Sequence, residues 1–175
     1  PVHQRLRIVL QKEVNEPFDE VIAICLQLVS RQDRSVEMPI GFEADTVWKA
    51  HGRGFQMGVV QSEGVVIHLT GQVAWSKDEA IIGRGDVEIQ TRQCFENIRA
   101  LLAEIGGEMS DIITLTTYFT DRSQLPIIQK VRLEFLPEDT APSSTSVMVA
   151  GLGHEDFLVE LTPVAVIPPY RFIAP

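Results

Sequence analysis

The sequence predicts an α+β domain in which one sheet carries two helices on one face. After residue 50, segments typical of strands and of amphipathic helices follow one another in the order β-β-α-β-α-β-β, with hairpin-type turns among them. The composition, 45% hydrophobic and 22% charged, is that of an ordinary globular protein. At 175 residues the chain is long enough for one domain with an appendage. We therefore divide it into an extension, residues 1–50, and an α+β domain, residues 51–175.

The amino-terminal extension contains a clear helical pattern. Its apolar residues recur at spacings of three and four, as on one face of an amphipathic helix: Phe18, Val21, Ile22, Cys25, Leu28 and Val29. Asn15 is a suitable N-cap, and Pro17 lies in the first turn, where a missing N–H costs little. Residues 35–45, which include Pro39 and Gly41, are predicted to form a connector.

The α+β domain begins with two strand patterns. Residues 58–61 and 64–72 are rich in β-branched side chains, and the polar residues between them are typical of a hairpin turn. Residues 65–70 are mostly apolar on both faces, which is typical of a strand buried on both sides. Because two helices cover only one face of the sheet, we expect another subunit to cover the other face.

Two helices and three strands complete the domain. Asp86 is expected to cap an amphipathic helix that ends at Gly106-Gly107. Ser123 is expected to cap a second helix, which runs to Phe135. One face of that second helix is predicted to consist of Leu125, Ile128, Val131, Arg132 and Phe135. The remaining strands are predicted at residues 112–120, 144–150 and 157–167.

Composition and motifs disfavour several functional classes. The net charge of −9 opposes general binding to nucleic acids and to anionic membranes. No apolar run approaches the ~20 residues of a membrane span. Glycine-rich phosphate loops, H-E-x-x-H, C-x-x-C and G-x-S-x-G are absent, and the four histidines lie far apart in the sequence. Two cysteines in helical patterns and early charged residues favour reduced thiols and a cytoplasmic location.

Several short motifs occur in an order that resembles the Rid family, the YjgF-type reactive-intermediate deaminases. The matching pieces are Thr70-Gly71-Gln72, Asp86 with Gln90-Thr91 and Asn97-Ile98, Gly106-Gly107 with Asp111-Ile112-Ile113, Tyr118-Phe119-Thr120-Asp121, and Val159-Glu160-Leu161. Each piece is weak alone, but together they span residues 54–167 in the right order. The first fifty residues lie outside the resemblance.

The resemblance implies a chorismate-mutase-like subunit and a homotrimer with small-molecule pockets between neighbouring subunits. It implies hydrolysis of reactive 2-imino or enamine acids to 2-keto acids and ammonia, without a metal or organic cofactor. In the family, an arginine binds the substrate carboxylate and a glutamate positions the attacking water. The resemblance assigns the catalytic role to Glu160 and substrate-binding roles to Thr70, Gly71, Gln129, Ser144 and Phe55. Met57 is the alternative to Phe55 at the position of the family's pocket tyrosine.

This sequence departs from the family at the arginine. The family's P-A-R-S motif corresponds to Pro142-Ser143-Ser144-Thr145, so a serine stands where the guanidinium is expected. A hydroxyl lacks the charge and the two-pronged geometry of arginine, and its loss is expected to cost ~3 kcal/mol of carboxylate binding. We therefore expect weak turnover of small 2-imino acids, unless another cation such as Arg53 or Arg132 replaces the missing group.

Three functions are compatible with the sequence. One is a Rid-like hydrolase with altered substrate specificity. The second is a non-catalytic trimeric protein that binds small molecules, and the third is an interaction scaffold. The residues themselves leave the choice open. Glu160 is either a functional or a structural carboxylate, and the hydroxyl cluster of residues 143–146 is either an anion-binding nest or ordinary strand sequence.

Overall fold

A computed structural model describes residues 39–50, 52–136 and 138–175, all of which belong to one compact unit. The predicted helix within residues 15–34 lies outside the described residues and stays a prediction. The described elements are β1 (Ile40–Phe42), β2 (Gly58–Val60), β3 (Val65–His68), α1 (Val87–Glu104), β4 (Ile112–Phe119), α2 (Leu125–Phe135), β5 (Ser143–Met148) and β6 (Val159–Ile167).

Four of the strands form the main sheet, in the order β3-β6-β4-β5. Strand β5 runs parallel to β4, whereas β6 is antiparallel to both of its neighbours. Both helices pack on one face of this sheet, and Phe95 of α1 stacks on Phe135 of α2 with ring centroids 4.9 Å apart. The α+β prediction, with two helices on one face, is confirmed.

Strand β6 shows the alternation that separates the two sheet faces. Val159, Leu161 and Ala165 are buried in the core beneath the helices. The intervening residues Glu160 and Thr162 are half-buried on the opposite face, because successive side chains of a strand point in opposite directions. We call this second face, which neither helix covers, the open face.

The predicted hairpin between residues 58–61 and 64–72 is wrong. Strand β2 pairs with β1, which lies inside the predicted connector, and the two form a separate two-stranded sheet. Strand β3 instead pairs with β6, where Ile67 lies opposite Ala165 at the edge of the core. Burial of apolar side chains against a distant strand outweighs the local turn signal.

The predicted caps are confirmed for α1 and wrong for α2. Asp86 accepts a hydrogen bond from the Ile89 amide at 3.0 Å and so caps α1. At the second helix, Asp121 accepts from both the amide and the hydroxyl of Ser123 at 2.8 Å, which lowers the pKa of Asp121. A short 3₁₀ turn then leads into α2, so Ser123 is bonded by the cap rather than forming it.

Candidate functional site

The first part of the site lies on the open face, around Glu160. The segment that follows β3 returns to β6, where the backbones of Gln72 and Leu161 exchange hydrogen bonds of 2.8 and 3.0 Å. This pairing brings Gly71 against the Glu160 side chain. Within residues 39–50, 52–136 and 138–175, no hydrogen bond or ion pair occupies the half-buried Glu160 carboxylate. It is therefore free to accept a proton or a hydrogen bond.

Gly71 provides the space in which the Glu160 carboxylate lies. A Cβ atom at this position would overlap Oε1 of Glu160 and approach its Cδ to 2.7 Å. The atoms that it would displace belong to the end of a flexible side chain, whereas a backbone atom could not move so easily. Thr70, which the resemblance also places here, is exposed, and its carbonyl accepts a hydrogen bond from the Gln72 side chain at 3.2 Å.

Cys94, beneath this part of the sheet, is a buried and protonated thiol. Burial, followed by the negative charge of Glu160, raises its pKa to about 12. A thiol with that pKa is neutral at physiological pH and is a poor nucleophile. The prediction of a reduced thiol is thus supported for Cys94, which is also buried, and we give it no catalytic role.

The second part of the site surrounds Ser144 on β5. Its hydroxyl accepts a hydrogen bond of 2.8 Å from Nη1 of Arg132, which projects from α2. Nη2 of the same guanidinium donates to the Arg53 carbonyl at 2.7 Å, and its central carbon lies 5.6 Å from the centroid of the Phe55 ring. The structure therefore joins Ser144 and Phe55 through Arg132, one of the two cations that the sequence offered as a replacement for the family arginine.

Arg132 is only 2% exposed, and burial lowers its pKa. The sequence signal for this residue was a charged side chain on the otherwise apolar face of a predicted helix. Its neighbour Gln129 lies one turn earlier on α2 and is half-buried. Residues three apart share one side of a helix, so Gln129 and Arg132 lie side by side.

The two parts of the site do not meet within one chain. In the register of the sheet, Ser144 lies beside Leu115 of β4, whereas Glu160 lies beside Tyr118 on the other side of β4. Two strand spacings and three residues of rise separate them by roughly 14 Å. Ser144 also contacts α2 on the helical face, whereas Glu160 lies on the open face.

The described residues contain no cluster of three or more His, Cys, Asp or Glu side chains that could hold a metal ion. Among the histidines, His68 is exposed on β3, and Nδ1 of His154 accepts a hydrogen bond from the Asp156 amide at 3.1 Å. Across the same part of the chain, none of the helices has the length and apolar character needed to cross a membrane.

Known proteins are similar to this chain in sequence and in fold. RutC family proteins of Pyrococcus abyssi and of Synechocystis are 30% and 33% identical over 102 and 103 residues, which are 58% of this chain and 79% and 78% of theirs. A Yersinia pestis protein of unknown function from the conserved Rid family has the same fold. Its TM-score is 0.68 at 24% identity, with 74% of this chain and 98% of that chain covered.

A putative endoribonuclease of Klebsiella pneumoniae is 26% identical, with a TM-score of 0.55 over 59% of this chain and 93% of that chain. The family model described as endoribonuclease L-PSP matches residues 53–167, which include every predicted site residue. This chain therefore belongs to the endoribonuclease L-PSP family, the family of YjgF, RutC and Rid proteins.

Proposed function

We propose that this protein is a cofactor-independent hydrolase of small molecules that contain a reactive C=N bond, such as imines or the imine forms of enamines. The observation that carries the proposal is the Glu160 carboxylate, which lies half-buried beside Gly71 with no partner among the described residues. Membership of the family supports the same reaction, because the resemblance assigns the water-positioning role to this glutamate.

The chemistry requires only water and one proton acceptor. Glu160 accepts a hydrogen bond from a water molecule and takes its proton as the water oxygen attacks the C=N carbon. The π electrons move to nitrogen, which takes the proton held by Glu160. The hydroxyl of the resulting amino alcohol then gives its proton, through Glu160, to the amine as the C–N bond breaks and the C=O bond forms. Carbonyl product and ammonia leave, so the overall reaction adds one water and involves no oxidation or reduction.

We further propose that the complete site is shared between neighbouring copies of a homotrimer. The separation of Glu160 from Ser144 within one chain supports this arrangement, because a small molecule cannot span opposite sheet faces. Strand β5 forms an edge of the main sheet, and a neighbouring copy would approach the site from this edge. A neighbour seated on the open face would also cover its exposed Val66.

The second candidate function is binding of a small molecule without catalysis. The buried Arg132 favours it, because its Nε has no hydrogen-bond partner among the described residues and can donate to a ligand. A binding protein needs a ligand pocket but no water-activating carboxylate. Replacement of Glu160 therefore separates the two functions, since binding would survive where hydrolysis would not.

The test generates imines in the cuvette and follows their decay with and without the protein. An amino acid oxidase supplies 2-imino acids, and an amine oxidase supplies imines without a carboxylate. We expect faster decay with the wild-type protein and loss of that acceleration in Glu160→Gln, which keeps the shape of the side chain but removes its basic charge. Glu155→Gln, at an exposed loop position, is the matched control and is expected to remain active. Absence of acceleration for both imine classes would contradict the proposal.

A further inference from the structure

Arg132 is a buried cation without a matching negative charge in the described part of the chain. It is 2% exposed, and burial is the cause of its lowered pKa, with no contribution from a carboxylate. Arg92, by contrast, forms ion pairs with Glu88 and Glu134 on the surface between the helices. Burial of an unpaired charge is costly, so an isolated guanidinium at this depth indicates a site for an anion.

The guanidinium also has donors to spare. Of the five N–H groups of an arginine, Ser144 and the Arg53 carbonyl each accept one. Nε is buried and has no hydrogen-bond partner among the described residues. An anion that accepted from Nε and from a free N–H of Nη2 would supply both the missing charge and the missing hydrogen bonds.

We infer that Arg132 and Ser144 form a binding site for a small carboxylate, and that residues 52–56 cover this site in the present conformation. The inference deepens the proposed function and rests on it, because it names the class of substrate that the hydrolase would accept. It also replaces the expectation of weak 2-imino acid turnover that was drawn from Ser144 alone. The guanidinium that β5 lacks at Ser144 is supplied by Arg132 of α2.

The covering segment has the features of a movable strap. Gly52 and Gly54 flank Arg53 with φ angles of 69° and 71°, a region that favours glycine, and none of residues 52–54 belongs to a helix or strand. Gly52 is tied to Oε1 of Glu138 by a hydrogen bond of 2.9 Å. Gln56 anchors the other end of the segment, because its backbone amide donates to the Pro142 carbonyl at 2.9 Å and its side chain donates to the Glu138 carbonyl at 2.7 Å. Rotation at the two glycines would lift the Arg53 carbonyl and the Phe55 ring from Arg132.

The surroundings favour a compact carboxylate over a larger anion. A planar carboxylate matches the spacing of two guanidinium N–H groups, and the adjacent Ser144 hydroxyl can turn to donate a third hydrogen bond. The net charge of −9 repels polyanions at long range, whereas the repulsion of a singly charged ligand is much weaker. The segment that covers the site is short, so the space that it vacates suits a small ligand.

The test is calorimetric titration of the full chain with pyruvate, with its neutral analogue pyruvamide and with inorganic phosphate. We expect pyruvate to bind the wild-type protein at least ~10-fold more tightly than pyruvamide, because only pyruvate pairs with the charge. Arg132→Met is expected to weaken pyruvate binding at least ~10-fold, and Arg92→Met, which removes a paired guanidinium, is expected to leave it unchanged. Phe55→Leu weakens the strap and is expected to tighten pyruvate binding about threefold.

Equal affinity for pyruvate and pyruvamide would overturn the inference, as would unchanged binding in Arg132→Met or tighter binding of phosphate than of pyruvate. If Arg132→Met does not fold, the comparison of pyruvate with pyruvamide and the gain in Phe55→Leu decide the question. Failure of the inference is distinguishable from failure of the proposed function. Pyruvate binding without imine hydrolysis removes the function alone, and hydrolysis of uncharged imines without pyruvate binding removes the inference alone.

Discussion

Glu160 and Arg132 each place a charge where the surrounding pattern of residues is apolar. Glu160 interrupts strand β6 between the buried Val159 and Leu161, and Arg132 follows the buried Val131 on α2. A buried or half-buried charge costs folding free energy, so such positions are typical of functional sites. Both residues therefore carry the proposed chemistry, one as the group that activates water and one as the group that binds the substrate.

The sequence allowed the first of these residues to be singled out more readily than the second. The alternating direction of side chains along a strand is enough to place Glu160 on the face opposite Val159 and Leu161, and the family resemblance adds its role. The burial of Arg132 depends on residues 53–55, whose contact with it joins positions 79 apart in the chain. Periodicity describes one helix at a time, so it cannot show which distant loop covers a helical side chain.

Gly71→Ala is expected to reduce imine turnover at least ~10-fold while leaving the fold intact. The added methyl group would overlap Glu160 Oε1 and force the carboxylate away from its position, and a displacement of about 1 Å is sufficient for such a loss. Because the side chain that yields is flexible, the melting temperature is expected to change little. Steady-state kinetics and thermal unfolding measure the two effects.

Gly151→Ala is the matched control for this substitution. No atom lies within 4 Å of the position that its methyl group would occupy, and its backbone does not require glycine. Its turnover is expected to equal that of the wild-type protein. Full activity in Gly71→Ala would show that the position of the carboxylate does not matter for the reaction.

At the level of secondary-structure elements, the sequence predicted the span of a helix better than it predicted which strands pair. The span of α1 follows from its amphipathic pattern and from Asp86, which lies where the chain enters the helix. The pairing of β2 with β1 was not predictable from the turn residues between β2 and β3, because neighbouring strands need not pair. Before α2, both Asp121 and Ser123 can accept a capping hydrogen bond, and only the geometry shows that Asp121 does so, as the cap of the 3₁₀ turn that leads into the helix.

The segment after β6 is expected to stabilise the turn between α1 and β4 through an ion pair of Arg171 with a buried carboxylate. Nη2 of Arg171 donates to the fully buried Asp111 at 2.5 Å, and the other Asp111 oxygen accepts from the Glu108 amide at 2.7 Å. Arg171→Met leaves the Asp111 charge buried without its partner and is expected to lower the free energy of unfolding by ~3 kcal/mol. Urea unfolding followed by circular dichroism measures this difference.

Arg122→Met serves as the control for that measurement. Arg122 is exposed, and the described residues provide it with no ion-pair partner, so its removal is expected to change the free energy of unfolding by less than ~0.5 kcal/mol. Equal stability of the two variants would show that the pair between Arg171 and Asp111 adds nothing to the fold.

At the scale of the whole molecule, the open face predicts self-association. It carries the apolar Val66 beside half-buried residues of β6, and strand β5, at the opposite edge of the main sheet, exposes Val147 and Met148. We expect sedimentation equilibrium at micromolar concentration to give three times the mass of the 19.5 kDa chain. Val147→Lys, which places a charge on this edge, is expected to shift the protein toward monomers. A stable wild-type monomer would rule out a site shared between copies.

The most direct test of the shared site is complementation between two inactive variants. The Glu160→Gln and Arg132→Met variants are mixed in equal amounts, unfolded and then refolded, so that the copies associate at random. If each site takes Glu160 from one copy and Arg132 from its neighbour, about one quarter of the sites contain both intact residues. The mixture is then expected to recover about one quarter of the wild-type rate of 2-imino acid hydrolysis. A mixture that stays inactive, although wild-type protein treated in the same way regains its activity, would contradict the account.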